Sequence, residues 1–151
     1  RQLSFGMLDM AWHSITEPYT GDVMAFEQKA IAPTQVMPVV EGTAMGPAFT
    51  HIFSGGYATG YYGYKWAEVL AADAYSYFKE KGIFSEEVST KFRKEVLEQG
   101  GHKHPMELYQ NFRGHKPQTK ALIDQMNLES FFVLRVHLLT FQSKPRMGRT
   151  L

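Results

Sequence analysis

His51–Phe78 reads HIFSGGYATGYYGYKWAEVLAADAYSYF, and the rest of the chain is organised around it. A Gly55-Gly56 pair opens the stretch, and the pattern predicts a long aromatic helix after it. With 3.6 residues per helical turn, Tyr57, Tyr61 and Tyr64 fall at i, i+4 and i+7 on one narrow face, to which Tyr75 returns. Tyr62, Trp66, Leu70 and Tyr77 take the other side. A helix that is apolar and aromatic on both sides is expected to be buried. Gly60 and Gly63 fall inside the predicted helix, where each costs about 1 kcal/mol relative to alanine. A neighbouring helix or a ligand is therefore expected to approach that backbone closely. The phenol hydroxyls need partners if they are buried. Lining a polar cleft, they would hydrogen-bond a peptide or steady an oxyanion. A tyrosine-rich core helix accounts for the same pattern.

The 151 residues suit one domain with a fair-sized core. Hydrophobic residues make up 44% of the chain and aromatic residues 14%, which marks a globular sequence. A formal net charge of +1 argues against a nucleic-acid binder driven by phosphate contacts. Without cysteine there is no disulfide, thiolate zinc site or cysteine nucleophile, and the compartment stays open. Arg1 enters a helical pattern directly, with no start methionine or signal peptide, as expected of a chain cut from something longer. No apolar run is long enough to span a bilayer.

Helix signals recur along the chain. Residues 1–15 place Leu3, Phe5, Leu8, Met10, Ala11, Trp12 and Ile15 in a broad apolar stripe. Asp22 offers an N-cap to a second helix, which Pro33 stops. Residues 33–50 read as a loop, with a short extended piece at Val36–Val40 as one alternative. That loop is either the entry to a cleft or a simple crossover. Gly82 ends the central helix. Ser85 caps the next, which carries Glu86 and Glu87 in its first turn and runs through Val88, Phe92 and Val96 or Leu97 to Gly100-Gly101. Pro105 and Gly114 bracket MELYQNFR, and Pro117 opens a last helix with Ala121, Leu122 and Met126 facing inward. The fold class expected is all-α, a multi-helical, bundle-like packing. Residues 129–151 stand apart: ESFFVLRVHLLTF is apolar, then SKPRMGRTL is basic. They read as an extra helix, an extra strand or an artefact of the reading frame.

A zinc peptidase needs two histidines one helical turn apart, a glutamate beside them and a third ligand. H-E-x-x-H is absent, and none of His13, His51, His102, His104, His115 and His137 is followed by glutamate. His102 and His104 form a close pair in a glycine-flanked loop, which reads as surface, so no metal ligand is assigned. A phosphate-binding glycine loop and a G-x-S-x-G elbow are also missing.

His51, Gly55-Gly56-Tyr57, Tyr61-Tyr62-Gly63-Tyr64 and Trp66-Ala67-Glu68-Val69 are followed in order by Gly82-Ile83-Phe84, Phe92-Arg93, Gly100-Gly101, Pro105-Met106-Glu107-Leu108-Tyr109 and Phe112-Arg113-Gly114. This series resembles the C-terminal catalytic segment of the thimet oligopeptidase family of zinc metallopeptidases. The His51–Gly56 spacing is closest to its oligopeptidase A and peptidyl-dipeptidase members. The resemblance implies that residues 1–128 are the last part of a helical zinc-peptidase catalytic domain, with the zinc motif upstream and 129–151 an atypical tail. It also implies a cytoplasmic enzyme that hydrolyses short peptides, with zinc as cofactor of the full-length protein, and a fragment inactive alone.

By the same resemblance, Tyr64 matches a tyrosine that donates to the developing oxyanion and His51 a histidine that bonds substrate or intermediate. Tyr57 and Tyr61 match substrate-side tyrosines, and Gly55-Gly56 a mobile loop over the cleft. The partners expected are short peptides and the missing part of the same protein, with neither nucleic acid nor membrane. Self-association through apolar surface is a further expectation. The alternative is a non-catalytic helical module that binds peptides or a partner through its tyrosine face. A third reading is a structural helical domain with core tyrosines.

Overall fold

The structure, a computed structural model, describes residues 1–126. The tail at 129–151, on which the sequence leaves several readings open, lies outside the described residues. Among the described residues there are seven α-helices and no strand, so the fold is all-α. They fall into two compact units, Arg1–Ala67 and the residues from Glu68 onward.

In the first unit α1 (Gln2–His13) packs on α2 (Val23–Ile31) and on the single turn Ala32–Thr34 that continues it. Asp22 caps α2 with its carboxylate on the backbone N–H of Met24 and Ala25, at 2.8 and 3.1 Å, which satisfies two of the orphan donors at the helix start. One face of α1 carries Phe5, Leu8, Asp9 and Trp12 at i, i+3, i+4 and i+7. Leu8 and Asp9 are fully buried. The stripe is narrower than its sequence suggests, because Leu3, Met10 and Ile15 are exposed.

Trp12 packs on Phe26 at 4.2 Å and edge-on to Tyr19 at 5.6 Å, while Phe5 meets Phe49 at 4.8 Å and Tyr61 at 5.8 Å. These aromatic groups lie towards opposite ends of α1, and Asp9 sits between them. The long loop after Thr34 forms no strand. It folds back through Glu27, whose buried carboxylate accepts from Met45 N at 2.8 Å and from Gly46 N at 2.9 Å. A Cβ on Gly46 would overlap that carboxylate, so any side chain there would force Glu27 off its present position. The short α3 (Thr50–Phe53) follows and buries Ile52.

The central helix α4 (Gly63–Lys81) starts later than its periodicity predicts. Gly60 belongs to the preceding turn and Gly63 is the first helical residue, with nothing within 4 Å of a Cβ added there. No neighbour approaches either glycine as expected. Nor is α4 buried on both sides: it buries Val69, Ala72 and Asp73, while Tyr62, just before it, and Trp66 and Tyr75 on it stay exposed.

In the second unit α4 ends at Lys81 and Gly82 turns the chain at φ +105°. Ser85 caps α5 (Glu86–Phe92), its hydroxyl accepting from Val88 N. The chain then widens into one π-helical turn, Arg93–Leu97, with Glu98 N bonded to Arg93 O. That turn leaves Val96 half-buried and Leu97 exposed. α6 (Pro105–Arg113) packs on it and ends at Gly114 in the left-handed region, φ +85°. Phe112 is fully buried, ringed by Tyr77, Phe78 and Phe92 at 5.1 to 6.3 Å. α7 (Lys120–Gln125) begins three residues beyond Pro117, with Ala121 and Leu122 half-buried and Met126 exposed rather than inward.

Asp73 is the polar centre of this unit. Its carboxylate accepts from the Tyr109 hydroxyl at 2.6 Å, Gln118 N at 3.3 Å and Arg113 Nε at 3.3 Å. Arg113 continues to Glu80 at 2.8 Å. Burial alone would raise the Asp73 pKa, but the bonds from Tyr109 and Gln118 and the Arg113 charge outweigh it and hold the carboxyl below its ordinary value. Burial and the bond to Asp73 push the Tyr109 phenol well up.

Candidate functional site

His51 projects from α3, Gly55-Gly56 turns the chain, and Tyr57 to Tyr62 form an irregular arch that leads into α4. The sequence places Tyr57, Tyr61 and Tyr64 on one helix face. The structure brings them together differently, since only Tyr64 is helical. Tyr64 packs at 5.0 Å from Tyr57 and 5.1 Å from Tyr61. The His51 imidazole stacks on Tyr57 at 5.4 Å and 14°, and on Phe49 at 6.2 Å and 14°. It also meets Tyr61 and Tyr64, both at 6.4 Å. All four expected side chains thus share one aromatic cluster.

The cluster is open. His51 is exposed, Tyr57 and Tyr64 each keep 39% exposure, and Tyr61 is half-buried. Core tyrosines would be covered, so among the described residues these phenols form a polar face. Donation of the Tyr64 hydroxyl to Tyr57, aided by desolvation and the nearby phenols, pushes the Tyr64 pKa up from 10.0 to about 12. Tyr64 therefore stays protonated throughout the neutral range, as a donor and not as a base. A groove of about 720 Å³ flanks it, lined by Leu3, Met7 and Met10 of α1 and by Tyr61, Tyr62 and Tyr64.

The glycine pair has two different reasons. Gly56 takes φ +81°, which side chains rarely adopt. At Gly55 a Cβ would lie 2.7 Å from His51 Cα and 3.0 Å from His51 O, both backbone atoms that cannot swing aside. Gly55→Ala is expected to destabilise the first unit by about 1–3 kcal/mol, as overpacking does, and to displace His51. The denaturant midpoint and the His51 imidazole NMR signals would check this; an unchanged midpoint together with unmoved signals would show that the turn tolerates the methyl.

Sequence reasoning missed the buried carboxylates. Asp9 Oδ1 accepts from Thr59 N and Oδ2 from Tyr61 N, both at 2.9 Å, so one side chain of α1 holds the arch that carries the phenols. His13 Nδ1 lies 2.9 Å from Asp9 Oδ1 as well. The available signal was an acid in the middle of an apolar helical face. The loop pair His102 and His104 proves structural in part: His104 caps α6, its Nδ1 accepting from Met106 N at 3.2 Å. Among the described residues no group of three His, Asp or Glu side chains is placed to hold a metal. No helix among them is long and apolar enough to cross a membrane.

The helical scaffold thus presents a histidine and three phenols together on one open face. The chain belongs to peptidase family M3, whose profile matches residues 1–128. It is 44% identical over 133 residues to "Oligopeptidase A" of Salmonella typhimurium and 41% identical over 133 residues to that of Escherichia coli; each match covers 85% of this chain and 19% of the relative. It is also 36% identical over 129 residues to "Dipeptidyl carboxypeptidase" of Salmonella typhimurium, over 84% of this chain and 19% of the relative. The chain thus spans about a fifth of the length of these curated relatives.

Proposed function

We propose that this chain is the substrate-contacting part of a zinc-dependent oligopeptidase that hydrolyses short peptides. The observation that carries this reading is the convergence of His51, Tyr57, Tyr61 and Tyr64 on one open face within a member of peptidase family M3. Tyr64 supplies the oxyanion donor. With a pKa of about 12 it keeps its proton, so the hydroxyl, turned from Tyr57 to a carbonyl oxygen, bonds that oxygen as negative charge develops there without giving up the proton. His51, exposed and stacked between Phe49 and Tyr57, directs a ring nitrogen at the peptide or the intermediate. Tyr57 and Tyr61 bond the peptide backbone, which favours short extended substrates without demanding a particular side chain. The Gly55-Gly56 turn gives the Tyr57 side of the cleft freedom to close.

The described residues do not fit a zinc ion, so its ligands are assigned to residues outside 1–126. A cytoplasmic location is part of the proposal, consistent with the relative named "Probable cytosolic oligopeptidase A" from Arabidopsis thaliana.

Short synthetic peptides offered to the complete protein test the reading. Cleavage should be abolished by a chelator and restored by zinc, while the 151-residue chain alone should cleave nothing. Chelator-resistant cleavage, or cleavage by the chain alone, would refute it. Peptide binding by the complete protein with no cleavage would instead identify a non-catalytic binding module.

A further inference from the structure

We infer that Asp9 is a positioning residue for the peptide-contacting tyrosines: its buried carboxylate clamps the backbone of the arch from Thr59 to Tyr61 and so sets where the Tyr57, Tyr61 and Tyr64 hydroxyls stand. The inference rests on the reading of that cluster as a substrate site. Asp9 is fully buried at the centre of an α1 face otherwise occupied by Phe5, Leu8 and Trp12. An acid there is costly to bury unless its oxygens are bonded. The backbone partners are two amides of an otherwise exposed arch, 50 and 52 residues away in sequence, one on each carboxylate oxygen.

The arch's own backbone bonds leave the Thr59 and Tyr61 amides to the carboxylate. Thr59 sits at φ +58°, the one non-glycine residue in the left-handed region among the described residues, and a β-branched side chain is disfavoured there. The local bonds run through other amides, from Tyr57 N to His51 O at 3.2 Å, Gly60 N to Tyr57 O at 2.8 Å, Gly63 N to Gly60 O at 3.0 Å and Tyr64 N to Tyr61 O at 3.2 Å. The carboxylate therefore supplies the restraint that keeps Thr59 turned and Tyr61 against Phe5 and Phe49. Tyr64, on the first turn of α4, touches both Tyr57 and Tyr61 and inherits their placement. The helix-helix core of the unit uses none of these bonds.

The test uses the complete protein and two readouts. Hydrogen exchange read on peptides covering residues 57–63 should show the Thr59 and Tyr61 amides protected, although the arch is exposed. Asp9→Asn keeps the side-chain volume but sets an amide N–H₂ against one backbone donor. It should erase that protection while peptides covering Leu8 and Ile52 stay protected. In peptide cleavage it should lower kcat by about 100-fold through the displaced Tyr64 and raise KM through the displaced Tyr57 and Tyr61, the pattern of mispositioned groups in a folded enzyme.

Thr59→Gly in the Asp9→Asn background removes the left-handed penalty and should restore part of both losses; a simple core defect would not be rescued by it. Fast exchange of the two amides in the unmutated protein overturns the inference, and so does a kcat unmoved while the arch opens. If Asp9→Asn does not fold, the wild-type protection pattern and the double variant still decide. Full turnover in Tyr64→Phe would sink the functional reading and leave the exchange result standing as a statement about the arch alone.

Discussion

Tyr64→Phe in the complete enzyme is expected to lose most of kcat, by about 10²- to 10³-fold, which corresponds to about 3–4 kcal/mol of transition-state stabilisation. The substitution removes one oxygen from a side chain that is 39% exposed and helical, so the fold should be undisturbed. KM should change little, because a donor aimed at a developing oxyanion contributes more to the transition state than to the bound peptide. The Tyr64 pKa of about 12 adds a pH expectation: between neutrality and pH 10 this phenol stays protonated and contributes no alkaline limb to the rate profile. Steady-state kinetics on a short peptide from pH 6 to 10 check both points. Near-normal turnover in the variant would remove Tyr64 from the chemistry. An alkaline limb that disappears on substitution would show that the phenol titrates in the working range.

Asp73→Ala should be the most damaging single change in the second unit, at about 3–5 kcal/mol, because it takes a carboxylate partner from the buried Arg113 charge. The Arg113 side chain is only 10% exposed, and the Tyr109 hydroxyl and Gln118 N lose their acceptor as well. Arg113 keeps Glu80, which sets the loss towards the lower end of that range. Against a typical domain stability of about 5–15 kcal/mol this is enough to unfold a marginal unit.

The sign with pH follows from the lowered Asp73 pKa. A carboxyl whose pKa falls on folding contributes stability that is fully present above its unfolded value, near 3.8, and is lost as pH drops below that through the folded pKa. Denaturant unfolding at neutral pH and at pH 2 should therefore show a large gap between wild type and Asp73→Asn at neutrality that narrows in acid. A gap that stayed constant would mean that Asp73 is not ionised in the fold.

Much of the helix punctuation was legible in the residues. Asp22 and Ser85 as caps, Gly82 and Gly114 as stops and Pro105 in the first turn depend on chemistry within a few residues, and each stands where the sequence puts it. The π turn at Arg93–Leu97 was not legible, since a helix of either pitch would offer Val96 or Leu97 to the core.

The sequence by itself determined which side chains gather: Tyr57, Tyr61 and Tyr64 could be named from their spacing and His51 from the family resemblance, and they do meet. It did not determine how. Helical periodicity places the tyrosines on one face of a continuous helix, yet the chain stays irregular until Gly63. Tertiary structure decided that outcome, because a carboxylate fifty residues upstream bonds the amides of Thr59 and Tyr61. Those amides donate to a partner that a local pattern cannot contain. Exposure was decided in the same way. An aromatic helix looks buried when its composition is read alone, and only the placement of α1, α3 and the arch shows which rings are covered and which phenols stay exposed.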